Sequence, residues 1–398
     1  MIGFRTLFSG TMLIGFVSIV LGTSFGQIDQ NMLLIGRNSG THLLDDGNST
    51  RIFGFATTLI DPIRIPGPTL EVNSGDSVKL DFWNMSQGAP HTVHLHGLDV
   101  DQQNDGVGML SFEVEHSQHG YYYFKAPHPG TYLYHCHVGS SIHLQAGMYG
   151  MVIVRPSDGN PLLNWDGGEN YDREFSLLAS EIDTVWHNDT ILDHVHDSTM
   201  ALYTPDSFKP QYFLVNGHSG NQLLASENYL VAMPGEKLFF RLANIGYYGV
   251  RYVFPPELAT RLVASDGRPL PTEELTDTVV VLPGERYEVL VQLGSNQNYP
   301  LVVDHFNLNT QSMESSQVLT IRTSLAWLTN ELFPEELVFP NPTDKRVRWQ
   351  KQQGFQLKNA LGSLLVSGNG NEVDLSAFES GIYYLCFDDG KACKVMKH

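Results

Sequence analysis

Cysteine, basic residues and long apolar runs are all scarce in this chain of 398 residues. Its 24 Lys and Arg residues are outnumbered by 43 Asp and Glu, and the formal charge of −19 disfavours nucleic acids and anionic lipids as partners. Long amphipathic helical patterns are absent, which argues against a helical bundle. Beyond the N-terminus, no segment is long and apolar enough to span a bilayer.

The N-terminal residues have the layout of a secretory signal peptide. Arg5 precedes an apolar run from Met12 to Leu21, and small residues follow as far as Gly26. Because this run is too short to cross a membrane, we expect cleavage near Gly26 and an exported protein rather than an anchored one.

The three cysteines fall into two groups. Cys386 and Cys393 flank Asp389-Gly390, a strong signal for a two-residue hairpin turn. Such a turn sets the two cysteines directly opposite each other, within reach of a disulfide, although two free thiols also fit the sequence. Cys136 is left without a cysteine partner, which in an exported protein calls for a reason such as metal binding.

Strand signals dominate the rest of the chain. Segments such as "TLEVNSGDSVKLDFWN", "GMYGMVIV" and "ERYEVLVQL" are rich in β-branched and aromatic residues and are bounded by turn-forming residues. One block of strands ends near Pro156, and a second runs from about Glu174 to Thr323. A weak likeness between "PGPTLEVNSGDSVKLDFWN" and "NYLVAMPGEKLFFRLAN" predicts that the two blocks are duplicated β-sandwiches.

Two dense stretches, "HTVHLHG" and "YLYHCHVGSSIHLQAGM", carry the metal-binding side chains. Residues two apart on a strand share a face, and neighbours point in opposite directions. Cys136 therefore faces away from His135 and His137, and His91 lies on the other side from His94 and His96. This alternation predicts two sites placed back to back. The first set is His91, Cys136, His143 and Met148, and the second is His94, His96, His135 and His137.

The residue types in each set indicate its chemistry. Two imidazoles, a thiolate and a weak axial thioether are typical of a blue type 1 copper, whereas four neutral imidazoles suit copper or zinc. If Cys136 binds the first metal and its two flanking histidines bind the second, the backbone between them is a short covalent path for electrons.

The same stretches resemble the copper motifs of multicopper oxidases, and the likeness extends over about residues 50 to 323. It implies cupredoxin-like sandwiches, type 1 copper at the cysteine set, and a type 2/type 3-like copper site at the histidine pairs. It also implies a laccase-like enzyme that passes electrons from a small-molecule donor to dioxygen. His143 lies two residues farther from Cys136 than in the commonest laccase pattern.

This sequence departs from the family in its number of histidine pairs. A trinuclear cluster needs four H-x-H pairs, and the first block supplies only two; the pair His194 and His196 matches no family motif. Two-domain members and copper nitrite reductases take ligands from a neighbouring subunit, and "PLVVDHFNLN" resembles the segment that donates one. His305 is thus predicted to act in trans in a homo-oligomer, for which the resemblance implies a trimer, or else to be a buried structural histidine.

The resemblance leaves three functions open. Nitrite reductases place an acid and a small residue where this chain has His94 and His137, so an oxygen-reducing oxidase leads over a copper nitrite reductase. A non-catalytic electron carrier or copper-binding protein is the third reading. Asp105 matches an Asp-Gly of the oxidase pattern and is predicted to relay protons, or simply to form a turn. His116, His119 and His128 are predicted to be surface residues.

The C-terminus resembles the sorting domain of the type IX secretion system, in "PNP" at 340–342, in "VDLSAFESGIYYL" and in the closing "KVMKH". This implies passage through the periplasm and outer membrane to a secreted or cell-surface location, with the type IX machinery as a partner. The alternative is an appended β-sandwich for binding. The predicted layout is a signal peptide at 1–26, a copper-binding cupredoxin domain at 27–157, a ligand-poor cupredoxin domain at 158–325, a linker at 326–337 and the sorting domain at 338–398.

Overall fold

The computed structural model describes residues 28–397 except 89, 196–206, 226–227, 295–297, 324–344, 360–363 and 388–391. The described chain is almost entirely β-strand, which confirms the predicted all-β class. The predicted signal peptide and the predicted linker lie outside the described residues. None of the helices in the described part of the chain has the length and hydropathy of a membrane span.

Eight strands of the first block form two four-stranded sheets, with strand orders β2-β1-β4-β6 and β3-β8-β7-β5. Apolar side chains alternate along these strands and face the core: β4 ("SVKLDFWN") buries every second side chain against the facing sheet. The strands are β1 (Gln30–Leu43), β2 (Ser49–Ala56), β3 (Leu70–Asn73), β4 (Ser77–Asn84), β5 (His94–His96), β6 (His119–Lys125), β7 (Gly130–His135) and β8 (Tyr149–Arg155), with helix α1 (Ser140–Gln145) before β8.

The second block forms a six-stranded and a five-stranded sheet, ordered β10-β9-β12-β17-β14-β15 and β11-β19-β18-β13-β16. Its strands are β9 (Arg173–Ile182), β10 (Tyr212–Val215), β11 (Leu230–Ala232), β12 (Lys237–Asn244), β13 (Gly249–Val253), β14 (Arg261–Ser265), β15 (Arg268–Leu275), β16 (Thr278–Val281), β17 (Arg286–Gln292), β18 (Asn298–Phe306) and β19 (Met313–Thr323), with helices α2 (Asp189–His194) and α3 (Gly220–Leu223).

Strand pairing supports the predicted duplication. In the first sandwich β1 runs parallel to β4 and antiparallel to β2, and β4 pairs antiparallel with β6. In the second, β9 runs parallel to β12 and antiparallel to β10, and β12 pairs antiparallel with β17. Each block therefore repeats the same four-strand arrangement.

A fifth sheet, ordered β21-β20-β22-β23, lies in the C-terminal region. It consists of β20 (Arg346–Asn359), β21 (Leu364–Asp374), β22 (Gly381–Phe387) and β23 (Ala392–Lys397). Trp349, Leu357, Leu385 and Val395 belong to its own hydrophobic core. A β-sandwich was predicted for this region, which needs two sheets, and the described C-terminal residues form one.

The register of this sheet corrects the prediction for the C-terminal cysteines. Cys386 pairs with Ala392, and Cys393 pairs with Leu385, so the two cysteines are offset by one residue instead of standing opposite each other. Cys386 is a free cysteine. The sequence rule failed because it assumed a two-residue loop, and the register of a hairpin depends on the length of its loop.

A buried ion cluster fastens the two sandwiches together. Arg241 on β12 is 0% exposed; its guanidinium lies 2.8 Å from the Glu288 carboxylate and 2.9 Å from that of Glu174. It also donates to the Thr131 hydroxyl on β7 at 3.0 Å, and that hydroxyl donates to Glu288 at 2.6 Å. The Arg155 guanidinium, on β8 of the first sandwich, lies 2.7 Å from the Glu174 carboxylate on β9 of the second.

Removing the cation at the centre of this cluster leaves the buried Glu288 carboxylate without its cationic partner and leaves Glu174 with Arg155. We expect Arg241→Ala to lower the free energy of unfolding by about 3–5 kcal/mol, measured as the shift of the urea midpoint. The control is Arg261→Ala, which breaks ion pairs to the half-exposed Glu169 and Glu273 and should cost less than about 1 kcal/mol. Equal losses in the two variants would show that the buried cluster has no special role.

Candidate metal centre

The cysteine set converges on one buried point. The Cys136 sulfur lies 3.4 Å from His91 Nδ1 and 3.2 Å from His143 Nδ1, and all three residues are 0% exposed. Their ligand atoms lie close enough together to hold one metal ion. The structure therefore brings together three of the four residues predicted for the type 1 site.

Met148 reaches the same place through the backbone. The Cys136 amide donates to the Met148 carbonyl at 3.0 Å, and the Met148 amide donates to the His143 carbonyl at 3.0 Å. Its side chain is 0% exposed and belongs to the same hydrophobic cluster as Cys136. The fourth predicted residue thus adjoins the other three on the interior side of the sandwich.

Helix α1 carries His143 back towards the cysteine. The helix begins after Gly139, whose φ of +54° is a backbone conformation that glycine adopts without strain. A Cβ at this position would lie 3.3 Å from Val195 and 3.7 Å from His143 Nε2. The glycine therefore allows both the turn and the close packing of Val195 above the site.

The histidine set lies on the other side of the same strand pair. His94 on β5 pairs with His135 on β7, and their ring centroids are 5.0 Å apart. His96 Nδ1 lies 3.3 Å from His135 Nε2, and the His137 ring lies 5.3 Å from that of His94. His94, His96 and His135 together form the second group whose ligand atoms could hold a metal ion.

Backbone and hydroxyl groups orient these imidazoles. His94 Nδ1 lies 2.7 Å from the Asp105 carbonyl oxygen, and His135 Nδ1 lies 3.0 Å from the Cys136 carbonyl oxygen. The His137 amide donates to the Thr92 hydroxyl at 2.9 Å. With Nδ1 held by an acceptor, Nε2 of His94 and of His135 is left to face a ligand, which is the usual outer-shell pattern of metal-binding histidine.

Burial keeps the second set in the form that binds metals. Desolvation lowers the pKa of His96 to about 4 and that of His135 to about 3, so both rings are neutral at physiological pH. Burial also raises the pKa of the Cys136 thiol to about 11, so the thiolate needs a bound cation to form at neutral pH. The donor set fits a soft, strongly bound metal such as copper.

Two residues beside the histidine set come from the second sandwich and were not predicted. A Cβ on Gly284 would lie 3.1 Å from His96 Cε1, and the Arg286 guanidinium is the second cause, after burial, of the lowered pKa of His96. Arg286 also donates to the Thr131 carbonyl at 3.3 Å. Both residues lie nearly half the chain away from His96, and no local motif marks them.

The structure does not bring His305 to either group. It lies on β18, is 0% exposed, and packs against the Phe213 ring at 5.1 Å. Burial lowers its pKa to about 3, and neither ring nitrogen has a hydrogen-bond partner among the described residues. His194 lies at the end of α2, whereas His196 is outside the described residues.

Asp105 stands next to the histidine set, with its carboxylate 3.5 Å from His94 Nδ1. Its backbone ends a short 3₁₀ helix (Gln102–Asn104). Asp105 therefore also takes part in a turn, which was the alternative prediction for this residue. The three histidines predicted at the surface, His116, His119 and His128, are exposed.

Comparison with known proteins agrees with this geometry. Two family models described as multicopper oxidase match residues 58–159 and 184–325, together more than half of the chain. The chain therefore belongs to the multicopper oxidase family. Members of this family bind copper at type 1 and trinuclear sites, and the two groups of side chains described above are consistent with copper as the cofactor.

Curated relatives include proteins with different activities. The copper-containing nitrite reductase of Neisseria gonorrhoeae is 29% identical over 208 residues, which cover 52% of this chain and 47% of that protein. Copper resistance protein A of Pseudomonas syringae pv. tomato is 27% identical over 279 residues, with coverages of 59% and 44%. The L-ascorbate oxidase of Cucurbita maxima is 26% identical over 261 residues, with coverages of 59% and 43%. The chain spans less than half the length of these relatives.

Solved structures show the same fold. The blue copper oxidase from Nitrosomonas europaea superposes with a TM-score of 0.60 at 22% identity, over 77% of this chain and 92% of that one. The copper nitrite reductase from the same organism gives a TM-score of 0.55 at 20% identity, over 75% and 95%. These similarities confirm two cupredoxin-like β-sandwiches.

The geometry of Cys136 predicts a spectroscopic signature. Copper-loaded protein should be intensely blue, because a thiolate bound to Cu²⁺ gives a strong charge-transfer band. Cys136→Ser should lose this band while keeping the β-sheet circular dichroism of the wild type. Cys386→Ser is the matched control, since it removes a free thiol that lies in the C-terminal sheet and does not touch the site. A blue Cys136→Ser protein, or a colourless Cys386→Ser protein, would refute the assignment.

Proposed function

We propose that this chain is an exported copper-dependent oxidase that carries electrons from a reducing substrate to dioxygen. The observation that supports this most strongly is the "HCH" segment at the end of β7. Cys136 faces His91 and His143, whereas His135 on the same strand faces His94 and His96. An electron received on the Cys136 side would thus have only a few covalent bonds to cross to reach the His135 side.

Each set has a defined part in this proposal. The type 1 ligands are His91, Cys136, His143 and Met148, and the ligands of the oxygen-reducing site are His94, His96, His135 and His137. Bound copper would supply one-electron redox chemistry on both sides of Cys136. The hydrophobic cluster around Cys136 excludes water from the first side.

The residues of the histidine side would orient ligands and handle protons. The Asp105 carbonyl fixes His94 through Nδ1, and the Asp105 carboxylate is placed to pass protons towards the site. Arg286 and Gly284 close the site from the second sandwich, and the charge of Arg286 adds to burial in lowering the pKa of His96. His305 as a ligand donated to a neighbouring chain stays a prediction, and its complete burial within its own chain weighs against it.

Nitrite reduction is the second candidate, because a nitrite reductase is among the relatives at 29% identity. Two histidines argue against it. Nitrite reductases carry an acid at the position of His94 and a small residue at the position of His137. The rings of these two histidines lie 5.3 Å apart in the second set, where both add imidazole ligands. A non-catalytic electron carrier, using the cysteine set alone, is the third candidate.

Export would use both ends of the chain, with a cleaved signal peptide at 1–26 and a type IX sorting domain at 338–398. The separate sheet β20–β23, with its own core, supports an independent C-terminal unit. Mass spectrometry of mature protein from the native host should find both ends removed, with the second cut between Ala326 and Val338. An intact His398 on secreted protein would contradict this route.

The oxidase proposal predicts oxygen consumption that depends on the histidine set. Copper-loaded protein should take up oxygen with ferrocyanide as donor and should not turn over nitrite with a reduced dye. His96→Ala removes a ligand of the second set, so oxygen uptake should fall at least about a hundredfold while the blue band remains. His119→Ala, an exposed histidine paired with Asp81, is the control and should match the wild type. Nitrite turnover without oxygen uptake would favour the second candidate, and inactivity in both assays the carrier.

The incomplete histidine set predicts an oligomer. If further ligands come from a neighbouring chain, the protein should be a homotrimer by analytical ultracentrifugation. His305→Ala should then lower the copper content per chain while leaving the blue band. A monomer that binds its full copper complement would rule out donation in trans.

A further inference from the structure

Glu181 is a carboxylate buried beside helix α1. It lies near the end of β9, where every residue from Leu177 to Ile182 is buried, and it is 2% exposed. No cation among the described residues forms an ion pair with it. An acid in this situation is rare, because Asp and Glu are seldom fully buried unless a charged partner accompanies them.

Backbone amides from the loop at 245–248 contact this carboxylate. The Tyr247 amide donates to Glu181 Oε1, and the Tyr248 amide donates to the same carboxylate. A Cβ on Gly246 would overlap Glu181 Oε2, so glycine at this position lets the loop close over the acid. Oε2 has no hydrogen-bond partner among the described residues and is free to carry a proton.

The burial of Glu181 changes its acidity. Burial raises the pKa of Glu181 to about 7, although its two amide donors favour the charged form. An exposed glutamate is ionised throughout the physiological pH range, whereas Glu181 changes its charge within that range. Carboxylates that behave in this way are concentrated at functional sites.

The neighbouring groups leave this titration to Glu181 itself. Burial raises the pKa of each tyrosine that faces the acid, so their hydroxyls stay neutral; these are Tyr149, Tyr247 and Tyr248. Helix α1 presents the uncharged Gln145. The Asp183 carboxylate is the other acid nearby, and its two oxygens accept backbone amides at 3.0 and 2.7 Å. His187 interacts with Asp183, and burial lowers the pKa of His187, so that its ring is neutral.

One link from the carboxylate reaches α1 through Tyr247. The Tyr247 amide donates to Glu181, and the Tyr247 hydroxyl donates to the Ser141 carbonyl in the first turn of α1 at 2.6 Å. A hydrogen bond to an ionised acceptor is about twice as strong as a neutral one. The residue that holds the start of α1 is therefore itself held more tightly when Glu181 carries its charge.

A second link fixes the other end of α1 to the backbone of β9. The Gln145 side chain donates to the Glu181 carbonyl at 3.0 Å and accepts from the Asp183 amide at 2.9 Å. This link involves no ionisable atom, so it stays the same when Glu181 titrates. His143 lies on α1 between the two links, and its Nδ1 is 3.2 Å from the Cys136 sulfur.

We propose that Glu181 is a positioning residue, and that its ionisation sets how firmly α1 presents His143 to the cysteine set. The inference rests on the proposed type 1 site. When the carboxylate is charged, it holds the amides of the loop at 245–248, and Tyr247 fixes the start of α1. When Glu181 takes up a proton, these bonds weaken and α1 gains freedom. Glu181 thus acts through Tyr247 and contributes no atom to the metal site.

The ionisation of Glu181 is tested first, by infrared spectra of copper-loaded protein recorded over a range of pH. The wild type should show the band of a protonated carboxyl group that disappears as the pH rises through about 7. Glu181→Gln should lack this band. Glu257→Gln, which replaces an exposed acid of the second sandwich, is the matched control and should keep it. A wild type without the band, or a band that persists in Glu181→Gln, would overturn the proposal.

Hydrogen exchange then tests the link to α1. Between about pH 6 and about pH 8, the protection of the α1 amides, corrected for the intrinsic exchange rate, should rise about fivefold in the wild type. It should change by less than about twofold in Glu181→Gln. Tyr247→Phe removes the hydroxyl that contacts Ser141 and leaves Glu181 in place. This variant should keep the infrared band but lose the response of α1, and a full response would contradict a link through Tyr247.

The blue band separates this inference from the proposed function. In copper-loaded wild type the band should shift with the same midpoint as the infrared signal, because the geometry of the copper ligands sets its energy. The band should be independent of pH in Glu181→Gln and in Tyr247→Phe. A blue wild type whose band does not shift would overturn the positioning role. If the protein is colourless but α1 still responds to Glu181, the proposed type 1 site fails and the link between Glu181 and α1 stands.

Discussion

The alternation of side chains at one buried strand end governs this molecule. His135 and Cys136 are neighbours in sequence, so they face opposite sides of β7, and each meets a different set of imidazoles. A one-residue slip of β7 against β5 would send the cysteine to the histidine side and dismantle both sets together. The rest of the structure serves to hold this strand in register.

The second sandwich supplies much of that restraint, although none of its described residues belongs to either group. Along β7, the Thr131 hydroxyl donates to Glu288 and its carbonyl accepts from Arg286, while the Tyr132 hydroxyl contacts the Gly267 carbonyl at 3.2 Å. These contacts fall four and three residues before His135. The second sandwich thus helps to fix the strand that carries two of the proposed ligands, His135 and Cys136.

Short-range patterns in the sequence predicted what depends on short-range geometry. Strand parity separated His91 and Cys136 from His94, His96 and His135, because one strand pair determines both faces. His143 was assigned by its residue type and its place in the motif, and helix α1 carries it to Cys136. The offset of Cys386 from Cys393 was missed, since loop length decides register and hairpin signals do not fix it. Arg286 was also missed, because its contact with the first sandwich arises only when β17 packs against β7. His305 matched a family segment, yet its burial depends on Phe213, which no motif includes.

The central claim is that two metal sites lie back to back across Cys136. Anomalous diffraction at the copper absorption edge, from crystals of copper-loaded protein, tests this claim directly. We expect one copper peak between His91, Cys136 and His143, and at least one more among His94, His96 and His135 on the opposite face of β7. A copper peak on only one of these faces would contradict the account.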